Sequence, residues 1–319
     1  MSTVPVESRS GAAGATDAVP DQGEKLRVGP LVVEVSNPGK LLYPEDGITK
    51  RQVIDYYRRI AEPALPHARD RFLTLQRFPD GLSAEGFFQQ ARADYFPDYV
   101  AGTEAARIGG GRVRHLSIDN AAGLVYLAGQ GTLTFHTWLS RRDRLHYPDR
   151  LVFDLDPPDN DFSAVREAAV LTGEFLRELG LTPYVMTTGS RGAHVVVPLD
   201  GSSRFDAVRD FAKKAATVLA ERHPRVLTTA QRKAKRAGRL YLDVMRNAYG
   251  QTAVMPYSLR AIAGAPVATP LSWGELGNSG LHAQTYHLGN LFRRLGQKSD
   301  PWAGMALHAA GIAAAARAL

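Results

Sequence analysis

The sequence predicts an α+β fold, a core of mixed β-sheets flanked by helices. Three observations carry this. Windows at 50–62, 163–179 and 205–222 repeat apolar residues at helical spacing. Strand-like runs such as Tyr184–Thr188 and Ala193–Pro198 follow one another with only a turn between them. Helices thus mix with adjacent strands, and no internal repeat suggests a solenoid or propeller.

Residues 1–24 are rich in Ser, Gly, Ala and Pro without periodicity and are expected to be a disordered leader. From Leu26, LRVGPLVVEV reads as a hairpin, followed by the turn-rich SNPGKLLYPEDGITK. Thr49-x-x-Gln52 fits a capping box, and Val53, Tyr56, Tyr57 and Ile60 continue it at helical spacing. That helix is expected to stop near Glu62, because Pro63 disfavours helical geometry in the residue before it. Phe72–Phe78 reads as a strand ending in a Pro-Asp-Gly turn at 79–81. Gly109-Gly110-Gly111 leads into a strand at Arg112–Ile118, and Asp119 or Asn120 caps a short helix through Leu127. Strands at Thr132–His136 and Leu151–Asp156 precede the helix Ser163–Leu179. The Tyr184–Thr188 and Ala193–Pro198 strands, the helix Phe205–Arg222, a basic helix or loop at 230–238 and a strand at Arg239–Met245 complete the pattern. The Ala-rich end suggests a helical C-terminal extension over 277–319, beyond a catalytic domain at 25–276.

Composition bounds the function. With 319 residues, 44% of them hydrophobic, and no cysteine, the chain needs no disulfide staples and offers no thiolate zinc site. No apolar run reaches the ~18 residues of a membrane span, and the N-terminus lacks a secretory pattern, so a cytoplasmic protein with no membrane partner is expected. The net charge is +7; residues 1–24 carry one base and four acids, so the remainder holds 38 bases against 28 acids. A basic folded part favours a polyanionic partner such as nucleic acid.

The sharpest motif is Leu151-Val-Phe-Asp-Leu-Asp156-Pro-Pro. Strand alternation projects Asp154 and Asp156 from one face, where hard oxygen ligands suit Mg²⁺ or Mn²⁺. Two unremarkable acids at a solvated strand end fit the spacing as well. Asp243 lies in the apolar run Arg239–Met245, which would rarely bury a lone carboxylate. It needs either a metal or a salt bridge to Arg239 or Arg246. Three acids on neighbouring strands would form a site for one or two divalent ions, as in-line phosphoryl transfer requires.

Thr187-Thr-Gly-Ser-Arg-Gly-Ala-His194 is the third element. Gly189 and Gly192 let the backbone approach a ligand, while hydroxyls and Arg191 offer charge-assisted bonds to phosphate. A plain tight hairpin also fits. In Gly86-Phe-Phe-Gln-Gln90, Phe87 and Phe88 are adjacent in a polar segment, placed either to stack on a base or to enter a core. Dense positive runs at Arg141, Arg142 and Arg144, and at Arg232, Lys233, Lys235, Arg236 and Arg239, are solvated faces or a phosphate-backbone track.

Taken in order, SNPGKLLYPEDGITKRQVIDYY, LTLQRFPDG, GFFQQ, FDLDPP, TTGSRGAHVVVPL, YLDVMRNAYGQTAVMPYSLRA and GAPVATPLSW resemble the polymerase domain of bacterial ATP-dependent DNA ligase D, a branch of the archaeo-eukaryotic primase superfamily. The resemblance runs from about Val35 to Leu276. It implies a primase-like catalytic core with Asp154, Asp156 and Asp243 as the metal triad for two Mn²⁺ or Mg²⁺ ions. It implies further that Ser190, Arg191 and His194, with Thr188 and Arg260, hold the triphosphate of an incoming NTP or dNTP, and that His136 lies near its sugar. Lys40 and Lys50 match lysines that bind the 5′-phosphate of gapped or broken duplex DNA; Phe87 and Phe88 match the pair that stacks on template, and Arg77 lies in a matched DNA-binding string. The implied activity is template-directed addition of nucleotides, preferably ribonucleotides, to primer 3′ ends at short gaps or breaks in repair.

The sequence departs from that pattern. Arg191 stands where many relatives have Lys, which makes phosphate binding bidentate, and Gln90 replaces a frequent Lys. The length leaves no room for ligase or phosphoesterase domains, so the expected partners include a separate DNA ligase and end-binding proteins, on a nucleoid-associated substrate. A non-catalytic gap- or end-binding module and a metal-dependent nuclease are the alternatives. The first has no use for three clustered carboxylates, the second none for a triphosphate-gripping turn.

Overall fold

The structure is a computed structural model that describes residues 23–106, 109–159 and 161–319. Of the expected leader, residues 1–22 lie outside the described residues, and Glu24 already belongs to the first strand. The hairpin forms as β1 (Glu24–Val28) and β2 (Leu31–Val35). A short ribbon, β3 (Leu41–Tyr43) with β4 (Ile48–Thr49), delivers the chain to α1 (Lys50–Ala68). Then come β5 (Leu73–Arg77), β6 (Phe87–Gln89), the hairpin β7 (Ala101–Ala106) and β8 (Arg112–Ser117), α2 (Ala121–Gly129) and β9 (Thr132–Trp138). The second half holds β10 (Arg150–Asp156), α3 (Phe162–Glu178), β11 (Tyr184–Thr187), β12 (Ala193–Pro198), α4 (Phe205–Arg222), β13 (Leu227–Thr228) and β14 (Leu240–Asp243). It closes with β15 (Thr252–Val254), β16 (Thr269–Leu271), α5 (Trp273–Leu276), α6 (Leu291–Leu295) and α7 (Ala313–Ala318).

Two sheets dominate. One has four strands in the order β15-β9-β5-β6; the other has six, β13-β14-β10-β12-β11-β16, with only β13–β14 parallel. On the first, α1 and α2 bury Val53, Tyr57, Ile60, Leu124 and Leu127 against Leu73, Leu75, Leu133 and Phe135. On the second, α3 and α4 bury Val165, Phe175, Phe211 and Leu219 against Leu151, Phe153, Val195 and Leu242. A smaller cluster that includes Val152, Met186, Val196, Val254 and Trp302 lies between them.

The helix expected to stop near Glu62 instead runs on to Ala68 with Pro63 and Pro66 inside it. Each proline forfeits one ladder hydrogen bond. Both are less buried than the opposite face, where Ala61, Ala64, His67 and Ala68 stay packed and hold the last turns in place. Thr49 and Gln52 do form the capping box at its start. β7 had little sequence signal, since AGTEAA holds one β-branched residue, Thr103, and no aromatic, and Gly109–Gly111 belong to its turn, all with positive φ. Residues 233–235 form a single 3-10 turn within the basic segment, and the strand expected at 239–245 shortens to β14.

The stretch beyond 276 packs into the cores. Leu281, Ala283, Ile312 and Ala315 join the six-stranded side, and Leu291 the four-stranded side. Trp302 enters the cluster between the sheets and donates from Nε1 to the Val185 carbonyl.

Candidate active site

The carboxylates are brought together by strand register. Asp154 on β10 lies opposite His194 of β12 on one side and Asp243 of β14 on the other. Asp156, two residues along, shares its face and pairs with Tyr241. Pro157 and Pro158 follow Asp156, ending the strand at the cavity. A polar cavity of about 260 Å³ opens here, lined by all three aspartates together with His136, Thr188, Ser190, Arg191, His194, Arg246 and Arg260.

Each acid has its own environment. Asp154 Oδ2 accepts from Arg246 Nε at 2.6 Å, and Oδ1 lies 3.5 Å from His194 Nε2. Burial alone would push its pKa up, but His194 and Arg246 outweigh burial and hold it well below the usual carboxylate range. Asp156 accepts from Arg236 at 2.8 Å and from Arg191 at 3.4 Å. Asp243 accepts the Met245 amide at 2.8 Å and, at 3.5 Å, the Tyr241 hydroxyl, which burial and Asp243 push up to about 12. The salt-bridge alternative for Asp243 does not occur: Arg246 pairs with Asp154, and Arg239 turns to the carbonyls of Arg236, Lys235 and Pro224.

The 187–192 turn is tightly built. Gly189 has φ +67°, and a Cβ on Gly192 would lie 2.1 Å from the Leu155 carbonyl oxygen, so only glycine lets the turn lie against β10. The Thr188 amide and hydroxyl both donate to the Gly192 carbonyl, and Arg260 donates to the Thr188 carbonyl at 2.6 Å. Gln284 braces the Ser190 carbonyl from the C-terminal stretch. His136 is kept neutral, its pKa lowered to about 3 by burial and by Arg260 and Arg246, and its Nδ1 is buried without a hydrogen-bond partner.

The carboxylates are hard oxygen donors of the kind divalent cations prefer. As they stand, Asp154 and Asp156 are neutralised by arginines, and among the described residues no group of three His, Asp or Glu side chains is drawn together tightly enough to hold a metal ion. The chemistry of the set fits such an ion.

The residues matched to DNA binding lie outside this cavity. Phe87 and Phe88 sit on β6 at the sheet edge, 46% and 65% exposed, with the Phe88 ring 6.0 Å from His136. Arg77 is buried, donates to the Gln130 carbonyl and Gln89, and lies against the Phe87 ring. Lys40 pairs with Asp80, and buried Lys50 donates to the Ser36 carbonyl at 2.7 Å; one backbone bond, Lys50 to Lys40, links the two. Sequence reasoning named Arg246 as a partner for Asp243 rather than Asp154, missed Tyr241 at the acids and Gln284 at the turn, and saw Arg236 only as part of a basic run. Apart from that of Tyr241, their contacts join segments far apart in sequence, which only the folded arrangement brings together.

A family model described as the LigD primase-polymerase domain matches residues 49–302. The chain belongs to that family. The LigD match passes residue 276, in keeping with the packing of the later segments. Among curated relatives, the multifunctional non-homologous end joining protein LigD of Pseudomonas aeruginosa is 34% identical over 288 residues, covering 89% of this chain and 34% of that protein. The bifunctional LigD of Bacillus subtilis is 31% identical over 246 residues, covering 75% and 39%. The chain therefore spans about a third of the length of these relatives. The polymerase domain of Mycobacterium tuberculosis ligase D, solved in complex with DNA, superposes with a TM-score of 0.80 at 30% identity, over 86% of this chain and 98% of that one. As a LigD primase-polymerase, the protein is a nucleotidyltransferase with a mixed α+β fold.

Proposed function

We propose that the protein carries out template-directed addition of nucleotides, preferably ribonucleotides, to primer 3′ ends at short gaps or breaks in DNA. The observation that carries this reading is the register placing Asp154 between His194 and Asp243 at a cavity that also receives the glycine-bounded turn. Two Mn²⁺ or Mg²⁺ ions held by Asp154, Asp156 and Asp243 would supply charge neutralisation at the phosphates and a more acidic primer hydroxyl. Arg191, 44% exposed at its side chain and only 3.4 Å from Asp156, swings to the triphosphate, where its planar fork binds two oxygens. Ser190, His194 and Arg260 complete that grip, with Thr188 fixing the turn. Arg236, anchored on the Ala230 and Gln231 carbonyls, leaves Asp156 as the site closes.

Phe88 and Phe87 stack on the template base, and neutral His136 faces the sugar. Lys40, exchanging Asp80 for phosphate, holds the 5′ end of the gap beside Lys50. The DNA complex of the M. tuberculosis domain supports a DNA substrate, and the names of the relatives support a role in end joining, with a ligase and end-binding proteins as partners and gap repair as a second setting. We place this work in the cytoplasm, on the nucleoid, and assign it to residues 25–276 with the 277–319 segment packed against them. The test is primer extension on 5′-phosphorylated gapped DNA with Mn²⁺ or Mg²⁺ and either NTP or dNTP. Templated growth favouring NTP is expected, whereas shortening of the primer, or binding without change, overturns the reading.

A further inference from the structure

The 187–192 turn is held by segments that come later in the chain. Gly189 lies against the backbone of Val267 and Ala268, so closely that a Cβ there would sit 2.8 Å from the Val267 carbonyl carbon. Arg260 holds the Thr188 carbonyl, and Gln284 donates from Nε2 to the Ser190 carbonyl at 3.0 Å. This last hold is applied from behind: Ser190 and Arg191 line the catalytic cavity, whereas Gln284 does not. The backbone around Gln284 is firmly seated. Leu281 and Ala283 are buried in the six-stranded core, the Tyr286 carbonyl accepts the Val267 amide, and Asn290 donates to the Thr285 carbonyl.

The contact has a directional consequence. A trans peptide points its C=O and N–H in opposite directions, and no cis bond occurs among the described residues. With the Ser190 oxygen drawn back to Gln284, the Arg191 amide faces away from Gln284, on the cavity side of the turn. Among the described residues that amide meets no hydrogen-bond acceptor. A free backbone N–H beside arginines is a ready donor to an anionic oxygen. Turned over, the same peptide would present its carbonyl dipole instead and repel the anion. Nothing within the turn itself fixes the choice, because the Thr188 hydroxyl reaches only the Ser190 amide and the Gly192 carbonyl.

We propose that Gln284 is a positioning residue for the incoming nucleotide: by occupying the Ser190 carbonyl it keeps the Arg191 amide aimed at a triphosphate oxygen. The proposal rests on the polymerase reading, which supplies the triphosphate. It gives the stretch beyond residue 276 a part in the site from outside the cavity wall. The test compares wild type with Gln284→Met, which keeps the side chain's length without its donor, and Gln284→Glu, which sets a carboxylate against the carbonyl. Equilibrium binding of NTP and of inorganic tripolyphosphate is measured with Mn²⁺ and no DNA, beside KM and kcat for primer extension, Tm, and gapped-DNA affinity. Both variants should bind NTP and tripolyphosphate about tenfold more weakly, the value of one hydrogen bond to a charged group. KM for the nucleotide should rise by the same factor, while kcat, Tm and DNA affinity stay close to wild type. Unchanged NTP and tripolyphosphate affinity overturns the proposal, as does a loss matched by falls in Tm and DNA affinity, which marks a structural role only. Should one variant not fold, the other carries the same comparison. Wild type that extends primers, with the folded variants indistinguishable from it, removes the positioning role alone. Wild type that binds tripolyphosphate through Gln284 but extends no primer removes the polymerase reading alone.

Discussion

Asp154 and Asp243 face each other as register partners on β10 and β14, the first ion-paired to Arg246 and the second held by the Met245 amide. The two acids therefore differ in charge environment while sharing one cavity. Replacing either with Ala should lower primer extension by at least ~10³-fold, about 4 kcal/mol of transition-state stabilisation, with gapped-DNA affinity within a few-fold of wild type. Single-turnover extension and a binding titration check this; near-normal extension by Asp154→Ala would remove it from the catalytic set.

Phe88 is 65% exposed and contributes little to the core, so Phe88→Ala should leave thermal stability nearly unchanged. Template affinity should fall, by about 1–3 kcal/mol if the ring stacks on one base. Parallel thermal melts and fluorescence anisotropy separate the two effects.

Lys40 is partly exposed and paired with the exposed Asp80, whereas Lys50 is buried against Ser36. Lys40→Ala should cut the preference for a 5′-phosphorylated over an unphosphorylated gap by about tenfold, the value of one charge-assisted bond. Competition between the two DNAs measures it, and an unchanged ratio would mean that Lys40 does not meet the phosphate.

Gly192→Ala would push a methyl group into the Leu155 carbonyl. The turn must lift off β10, at a cost of about 1–3 kcal/mol, and a Tm lower by several degrees is expected. Because the same turn carries Ser190 and Arg191, KM for the nucleotide should rise more than kcat falls.

Folding buries His136 in neutral form, its pKa depressed to about 3. The unfolded chain therefore binds more protons than the native one between about pH 6.5 and 3, and stability falls as pH drops through that window. His67 and His115, also lowered by burial, act in the same direction. His136→Gln should flatten the decline by up to about 1.4 kcal/mol per pH unit, read from urea unfolding between pH 7 and 5.

What was legible in the sequence follows the range of the signals. α4 has the expected bounds because Phe205, Val208, Ala212, Ala215 and Leu219 repeat at helical spacing. The acids stood out because Asp154 and Asp243 interrupt apolar strands. The end of α1 was misjudged because a local proline rule ignores the tertiary packing that carries the helix through Pro63. The pairing of the arginines with the acids was misjudged for a different reason: which guanidinium meets which carboxylate depends on strand register, so Arg246, three residues from Asp243 in sequence and read as a candidate partner for it, pairs with Asp154.

The acids ride on one sheet and the exposed Phe87 and Phe88 rings on another, each with its own core, and segments past residue 276 pack into both. Those late residues work as a buckle on a pair of jaws: Leu291 fastens one, Ile312 the other, and Trp302 the gap between them. The bite of the enzyme, meaning the span from the exposed Phe88 ring to the Asp154 carboxylate, is thus braced by residues outside the cavity.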